Sequence, residues 1–309
     1  MKSNVKQSNR KAAFTIVELL TVMSIIVILI GLLVPALNKV KQYAYEVKQK
    51  AQFHSIDAAI ELFNSEFDGY PPSDALDPPP DRSPYCGAMK LCEAMMGRDL
   101  MGFHPDSIFR ANGLSGLGTD LYPPQSAGIA YTNSLSARKG PYLPLENANA
   151  YQLMDLYENV GPYAGENFVL CDVFRRVTHL QSGKKVGMPI LYYKANTANI
   201  QHDIDNPENP QNIYDYRDNQ NLVLLGKPWD PPSKGGETHR LAIDPSNPAP
   251  GYRFYMNTTN DKVLATVRAA VRPYRADTYI LISAGSDGEY GTPDDICNFE
   301  WRYREQPLQ

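Results

Sequence analysis

One long apolar run dominates the first part of the chain. It covers residues 14–37, FTIVELLTVMSIIVILIGLLVPAL, and contains one acid, Glu18, close to its start. No charged residue occurs between Leu19 and Leu37, and about 20 apolar residues in a helix span the hydrocarbon core of a bilayer. The pattern therefore predicts a membrane-spanning helix over residues 14–37. An ionised side chain in such a segment is costly, so we expect Glu18 to have a partner and a function.

The next segment continues the helical pattern with an apolar and a polar face. Its apolar residues recur at spacings of three and four, which is typical of an amphipathic helix. They form two groups: Val40, Tyr43, Ala44, Val47 and Ala51, followed by Phe53, Ile56, Ile60, Phe63 and Phe67. Such a stripe needs another element to cover it. Because residues 69–72, GYPP, stop a helix, we predict an amphipathic stem helix over residues 38–70.

The remaining sequence predicts loops and short strands. Residues 71–135 read as a loop-rich insertion with one short helix over Gly87–Leu100, and residues 136–309 read as a β-sheet domain. Short runs of β-branched and aromatic residues bounded by turn formers predict strands. These runs are Asn167–Val177, Pro189–Ala195, Gly251–Met256 and Thr278–Ala284, with Leu222–Leu225 as a weaker fifth. One long helix followed by short strands predicts an α+β fold in which a small antiparallel sheet packs on the helix.

The flank before the apolar run is basic. It contains Lys2, Lys6, Arg10 and Lys11 and no acid. Positive residues before the first span hold that end in the cytoplasm, which predicts export of everything after the span. A secretory signal peptide is the alternative, but the run is longer than the usual apolar region of about 7–15 residues, and no A-x-A-like cleavage site follows it.

Residues 13–20, AFTIVELL, resemble the class III prepilin signal of type IV pilins and of type II secretion pseudopilins. The family pattern is Gly followed by Phe-Thr-Leu-Ile-Glu-Leu and a long apolar helix. The resemblance implies that a prepilin peptidase cuts between Ala13 and Phe14 and methylates the new amine of Phe14. Ala13 stands where the family usually has Gly. Pro35, at the twenty-second mature position, matches the proline that kinks the family's helix. The resemblance as a whole implies a pilin-like fold.

The same resemblance gives Glu18 a role in assembly. Glu18 would be the fifth residue of the mature chain, and in the family this acid recruits the next subunit. The amine that cleavage creates on Phe14 is largely cationic at neutral pH. In a filament of packed apolar helices, Glu18 can therefore meet the Phe14 amine of a neighbour, and the pair would set axial register more than it adds stability. The alternative is a carboxylate that simply lies at the cytoplasmic interface.

A second constellation lies near the C-terminus, in residues 283–296, SAGSDGEYGTPDDI. Carboxylate and carbonyl oxygens on a sharply turning chain are the ligands that Ca²⁺ prefers. The segment resembles the calcium loop of the type II secretion major pseudopilin, although its spacing is not that of an EF-hand. The alternative is an acidic hairpin turn. The candidate ligands are the carboxylates of Asp287, Asp294 and Asp295 and the backbone near Tyr290 and Thr292.

Charge and cysteine content limit the function classes. The net charge is −4, and loss of the basic leader makes it more negative, which argues against a nucleic-acid-binding surface. An exported domain permits disulfides, and Cys86 and Cys92 form a candidate local disulfide, whereas Cys171 in an apolar strand is expected to be a buried thiol. No hydrolase, metalloprotease, nucleotide or dinucleotide motif occurs, so we expect no enzymatic activity.

Together these features predict a pseudopilin subunit that forms a periplasmic filament for type II protein secretion. It would be a single-pass protein of the inner membrane with its N-terminus in the cytoplasm and its C-terminal domain in the periplasm. Its expected partners are copies of itself, minor pseudopilins, the prepilin peptidase, the inner-membrane secretion platform and membrane lipid. Two alternatives stay open: a type IV pilin for adhesion or motility, and a binding or enzymatic domain on a pilin-like anchor.

Overall fold

The longest element is the N-terminal helix α1, which covers Ile16–Phe67 and contains Pro35. Within the residues that the computed structural model describes, α1 is the one helix long and apolar enough to cross a membrane. Its 52 residues correspond to about 78 Å of helix. The predicted long N-terminal apolar helix is confirmed. The described residues are 15–241, 251–260 and 272–304.

Helix α1 contributes residues to two compact units, and its side chains differ in exposure between them. The first unit ends at Ala44 and the second begins at Tyr45. In the first unit every described side chain is exposed, including Ile16 at 78% and Val27 at 68%. Burial on α1 begins at Gln49, which is fully buried in the second unit. The chemistry of the helix therefore changes along its length, from an apolar surface without a cover to one face of a folded core.

The second group of predicted stripe residues lies in that core. Phe53, Ile56, Ile60 and Phe63 are at most 3% exposed, and the Phe63 ring packs edge-on against Phe103 at 5.1 Å between centroids. The first group differs. Its large side chains stay open to solvent within the described residues: Val40, Tyr43 and Val47. The predicted stripe is thus covered only in its C-terminal half.

Helix α2, Gly87–Met96, lies at the centre of the second unit. All ten of its residues are buried, including Lys90 and Glu93. Lys90 Nζ donates to the Asp74 carboxylate at 2.7 Å, and Glu93 accepts a hydrogen bond from the Tyr85 hydroxyl at 2.6 Å. The short helix predicted over Gly87–Leu100 is confirmed, with an earlier end. Because α2 is part of the core, the predicted loop-rich insertion over residues 71–135 also contributes to the core of the second unit.

The strands are short and all pair antiparallel. They are β1 Ala150–Gln152, β2 Phe168–Leu170, β3 Val177–Thr178, β4 Lys185–Val186, β5 Leu191–Lys194, β6 Tyr279–Ser283 and β7 Ile296–Cys297. Strands β5 and β7 flank the central strand β6, with Tyr192 opposite Leu281 and Ile282 opposite Cys297. Two further antiparallel pairs, β1 with β2 and β3 with β4, come before β5 in the sequence. Helix α2 packs against β2 and β5, so the sheets do not rest on α1 alone.

Short helices connect these strands, and two of them replace predicted strands. The predicted strand Gly251–Met256 is wrong, because Tyr252–Thr258 forms helix α7, and Leu222–Leu225 is wrong because Gln220–Leu224 forms helix α6. Both segments are short runs of apolar and aromatic residues. Such runs occur in buried helical turns as well as in strands, so the sequence pattern does not distinguish the two. The other helices are α3 Ile129–Ala137, α4 Leu145–Ala148 and α5 Leu153–Leu156, with 3₁₀ turns at Gln125–Ala127, Tyr216–Asn219 and Pro232–Lys234.

The other strand predictions fare better. Pro189–Ala195 contains β5 and Thr278–Ala284 contains β6, so both are confirmed. Asn167–Val177 contains β2, which ends at Leu170. Cys171 forms an isolated antiparallel bridge with Pro189, and the next strand, β3, begins at Val177. A long apolar N-terminal helix with small antiparallel sheets confirms the predicted α+β class.

Tyrosine provides much of the core. The chain has 20 tyrosines, and several of the largest buried side chains are tyrosines whose hydroxyl groups reach an acceptor. The Tyr192 hydroxyl donates to the Pro71 carbonyl at 2.7 Å, and the Tyr279 hydroxyl donates to Asp57 on α1 at 2.7 Å. Each pairing satisfies a polar group that would otherwise be costly to bury.

Candidate functional site

The acid of the apolar run closes a hydrogen-bonded cap at the start of α1. The backbone N–H and the hydroxyl of Thr15 donate to Glu18 Oε2 at 2.9 and 2.8 Å. The Glu18 N–H in turn donates to the Thr15 hydroxyl at 3.2 Å. This reciprocal pattern, with Thr as N-cap and Glu three residues later, is a capping box. Glu18 therefore has a local structural role besides the predicted role in assembly.

The predicted processing site consists of Ala13 and Phe14. Both lie outside the described residues, so cleavage between them stays a prediction. Pro35 lies inside α1, which continues as a helix on both sides of it. Proline removes one backbone N–H from the helical ladder, and the predicted kink at this position also stays a prediction.

The described apolar run offers a continuous hydrophobic surface. Every described side chain from Thr15 to Ala44 is exposed, and Glu18 is the only carboxylate before Glu46. Exposed apolar surface of this extent marks a contact with membrane or with another chain. The surface is therefore suited to lipid, to equivalent helices, or to both.

The acidic loop follows β6 and is built around left-handed glycines. Gly285, Gly288 and Gly291 have φ values of 63°, 74° and 91°. A Cβ atom at Gly285 would lie 2.3 Å from the Asp294 carbonyl oxygen. The loop thus folds back on itself at a position where only glycine fits.

Asp294 accepts hydrogen bonds from three groups of this loop. Its Oδ2 accepts from the Ser286 hydroxyl at 2.8 Å and from the Asp287 N–H at 3.0 Å, and its Oδ1 accepts from the Thr292 hydroxyl at 2.7 Å. Burial opposes ionisation, but these hydrogen bonds together hold the pKa of Asp294 below its usual value. Asp294 is therefore the ionised centre of the loop.

The other two aspartates of the loop ionise less readily. Burial raises the pKa of Asp287 to about 6, with a further contribution from the charge of Asp294. Burial also raises the pKa of Asp295 well above its usual value. Asp295 Oδ2 accepts from the Gly291 N–H at 2.7 Å, whereas its Oδ1 is buried without a hydrogen-bond partner among the described residues. The charges of Asp287 and Asp294 also raise the pKa of Asp295, and the Arg176 guanidinium lies at the edge of the loop, where it donates to the Asp287 carbonyl at 3.2 Å.

Residues distant in sequence form hydrogen bonds and ion pairs with the acidic loop. The Trp301 indole donates to the Thr292 carbonyl at 3.1 Å, and the Tyr290 N–H donates to His239 at 3.2 Å. Glu289 pairs with Lys227 at 3.3 Å and with Arg240 at 3.2 Å. Sequence reasoning missed these contacts because nothing local links them to the acidic segment.

The predicted calcium ligands only partly fit a cation. Their oxygen chemistry is suitable, and Asp295 Oδ1 is a buried acceptor without a donor. However, the carbonyls of Tyr290 and Thr292 already accept hydrogen bonds. No group of three or more metal-binding side chains converges within the described residues. In this conformation the loop is closed by its own hydrogen bonds, and coordination would require Asp294 to exchange them for a cation.

The candidate disulfide is not formed. Cys86 is the N-cap of α2 and Cys92 lies inside it, and both are buried free thiols. Six residues along a helix rise about 9 Å, whereas bridged Cα atoms lie at most about 7 Å apart. Burial raises the pKa of both thiols. Cys171 is also a buried free thiol, as predicted.

Comparison of this chain with protein-family models, with curated proteins and with solved structures gives no match. The resemblance to pilins therefore depends on the residues of its N-terminal signal and acidic loop.

Proposed function

We propose that the chain is a structural subunit of a pilin-like filament, of the pseudopilin type that serves type II protein secretion. It is inserted in the inner membrane by α1, cut by a prepilin peptidase between Ala13 and Phe14, and assembled with copies of itself and with minor pseudopilins. The inner-membrane secretion platform is the expected assembly partner, and the second unit lies in the periplasm.

One observation carries this proposal: the apolar first half of α1 is uncovered and has one carboxylate, Glu18, near its start. A lipid anchor alone needs no acid at that depth. A filament of packed helices uses such a charge, because each Glu18 can face the amine of the next Phe14. The exposed Val40, Tyr43 and Val47 extend this apolar surface beyond the span and supply further contact between neighbouring stems.

The capping box allows the two roles of Glu18 to be separated. Glutamine at this position keeps the reciprocal hydrogen bonds with Thr15, because a capping box accepts Glu or Gln. It removes the negative charge that pairing with a neighbouring amine requires. Alanine removes the charge and also the acceptor of the two Thr15 hydrogen bonds, and keeps only the bond from its own N–H to the Thr15 hydroxyl.

Glu18→Gln and Glu18→Ala therefore test the proposal in cells that contain the prepilin peptidase. We expect both variants to insert in the membrane and both to lose filament assembly, measured by cross-linking of neighbouring subunits. Lys50→Gln, a change of one charge at an exposed position of α1, should assemble normally. Filaments of ordinary yield from Glu18→Gln would mean that Glu18 acts as a cap and not through its charge.

We also propose Ca²⁺ as a structural ligand of the acidic loop, held by Asp287, Asp294 and Asp295 with backbone carbonyls. Calcium would add positive charge next to these three carboxylates. The full chain in neutral detergent should show a higher midpoint of thermal unfolding with Ca²⁺ than with chelator, and Mg²⁺ at equal concentration should have a smaller effect. Asp295→Asn should abolish the difference. An unchanged midpoint in the wild-type chain would leave the loop as a hydrogen-bonded turn.

A binding domain on a pilin-like anchor is the second candidate. It is favoured by a polar cavity of about 550 Å³ that Ser73, Lys194 and Asp218 line. Asp218 accepts a hydrogen bond from the Ser73 hydroxyl, and burial raises the pKa of Asp218 to about 8. A filament that assembles normally after Lys194→Ala, while export is lost, would indicate that this cavity binds a ligand.

A further inference from the structure

A basic cleft of about 400 Å³ lies beside the β3–β4 hairpin, wholly within the second unit. It brings together α1, the segment after β2 and the hairpin, which are distant in sequence. Its polar lining consists mainly of Lys48, Asn149, Tyr151, Arg175, Lys184 and Lys185. Four cations from three parts of the chain therefore face one concave space.

These cations lack acidic partners within the part of the chain that the structure describes. No carboxylate lies within ion-pair distance of Lys48, Arg175 or Lys184, and the Lys185 amine donates to the Thr178 hydroxyl at 2.7 Å. Some cations outside the cleft are paired, as in Arg138 with Asp99 at 2.6 Å. Positive charges that share a cleft repel one another, and a bound anion removes that cost.

The acid in the cleft wall does not neutralise the cations. Asp172 is 1% exposed. Its Oδ1 accepts from the N–H groups of Phe174 and Met188 at 3.0 and 3.1 Å, and its Oδ2 accepts from the Ser283 hydroxyl at 2.9 Å. Both oxygens are thus directed to the core. Glu146 lies in a smaller adjoining pocket that shares Lys48, without an ion pair between them.

We propose that this cleft binds a phosphate group, either as inorganic phosphate or as the headgroup of an anionic phospholipid. The guanidinium of Arg175 suits two phosphate oxygens and the amines suit the others. The Asn149 amide and the Tyr151 hydroxyl add neutral donors at the rim. A lipid source is included because Lys48 follows the apolar run by only eleven residues in sequence.

Amine-reactive footprinting of the full chain tests the site residue by residue. Acetylation of each lysine is followed by mass spectrometry in three samples: neutral detergent with inorganic phosphate, phosphatidylcholine nanodiscs, and nanodiscs that contain phosphatidylglycerol. Chloride at equal ionic strength controls for screening. Lys50, exposed on α1 and outside the cleft, is the internal control. Protection of Lys48, Lys184 and Lys185 by about threefold or more, with Lys50 unchanged, is expected at saturating ligand.

The samples distinguish the two sources. Protection by inorganic phosphate assigns the site to free phosphate, and protection only with phosphatidylglycerol assigns it to a lipid headgroup. Arg175→Gln should lower the affinity by about tenfold or more, since it removes one close charge. Equal reactivity of the cleft lysines and Lys50 in all three samples would overturn the proposal.

Discussion

At the scale of single residues, the second unit buries carboxylates at a cost that depends on pH. Asp172 is fully enclosed, and burial raises its pKa to about 7 although three hydrogen bonds act in the opposite direction. A folded-state pKa above the unfolded value means that the folded chain binds the proton more tightly. This contribution to stability is complete below about pH 4 and is lost as the pH rises through about 7.

Asp172→Asn should remove this loss. An asparagine oxygen can accept from Phe174 and Met188, and its amide can donate to the Ser283 hydroxyl, so the local bonding is kept. We expect the variant to be more stable than the wild type at pH 8, by about 1 to 4 kcal/mol, and little different at pH 4. Denaturant unfolding at both pH values measures the difference.

Asp68→Asn is the matched control for this change. Asp68 is exposed and has a φ of 53°, a left-handed conformation that asparagine tolerates. It should leave the pH dependence of stability as it is. A wild-type stability that does not fall between pH 4 and pH 8 would contradict the assignment to Asp172.

At the residue scale, some hydrogen bonds of the candidate site could be predicted from the sequence and others could not. The Thr15–Glu18 capping box is visible in the sequence as T-x-x-E, and the bonds of Asp294 to Ser286 and Thr292 join near neighbours. By contrast, Trp301 and His239 reach the acidic loop only through the fold. Local hydrogen bonds can be predicted from spacing, whereas partners that tertiary packing supplies cannot.

At the scale of elements, α2 packs against the sheets, a role that the sequence predicted for α1 alone. It packs against β2 and β5 with every residue buried. Gly87 permits this approach, because a Cβ atom there would lie 2.3 Å from the Tyr192 carbonyl oxygen on β5. The proline-rich sequence around α2 predicted a loop region and gave no sign that α2 is central to the core. The burial of Lys90 and Glu93 depends on partners that only the fold brings near.

Gly87→Ala should therefore destabilise the second unit by about 1–3 kcal/mol, since α2 must shift away from β5. Gly69→Ala is the matched control, because a Cβ atom at Gly69 meets nothing within 4 Å. We expect the control to stay within about 0.5 kcal/mol of the wild type. Denaturant midpoints of the two variants give the comparison, and equal midpoints would show that α2 does not pack closely on β5.

The element predictions failed where packing overrides local preference. Tyr252–Thr258 is rich in aromatic residues that favour strands, yet it forms α7 and buries Phe254 and Tyr255. The Tyr255 hydroxyl donates to the Tyr214 carbonyl at 2.7 Å, an interaction across 41 residues of sequence. The strands β5 and β6 were predictable because their apolar residues are continuous and bounded by turn formers.

At the scale of the whole molecule, the chain joins an exposed apolar helix to a buried, tyrosine-rich core. The length and composition of α1 were predictable, because a run of apolar residues without charge leaves few alternatives. Its use is the central claim: α1 anchors the precursor and then, once the leader is removed, assembles with other copies. The claim makes Phe14 the first residue of the mature chain and Ala13 the residue before the cut.

The mass of the N-terminal peptide tests this claim most directly. The chain is produced in cells with an active prepilin peptidase, purified from membranes and digested, and its first peptide is sequenced by mass spectrometry. We expect a peptide that begins at Phe14 and carries one methyl group on its α-amine. A membrane form that begins at Met1 in those cells would contradict it.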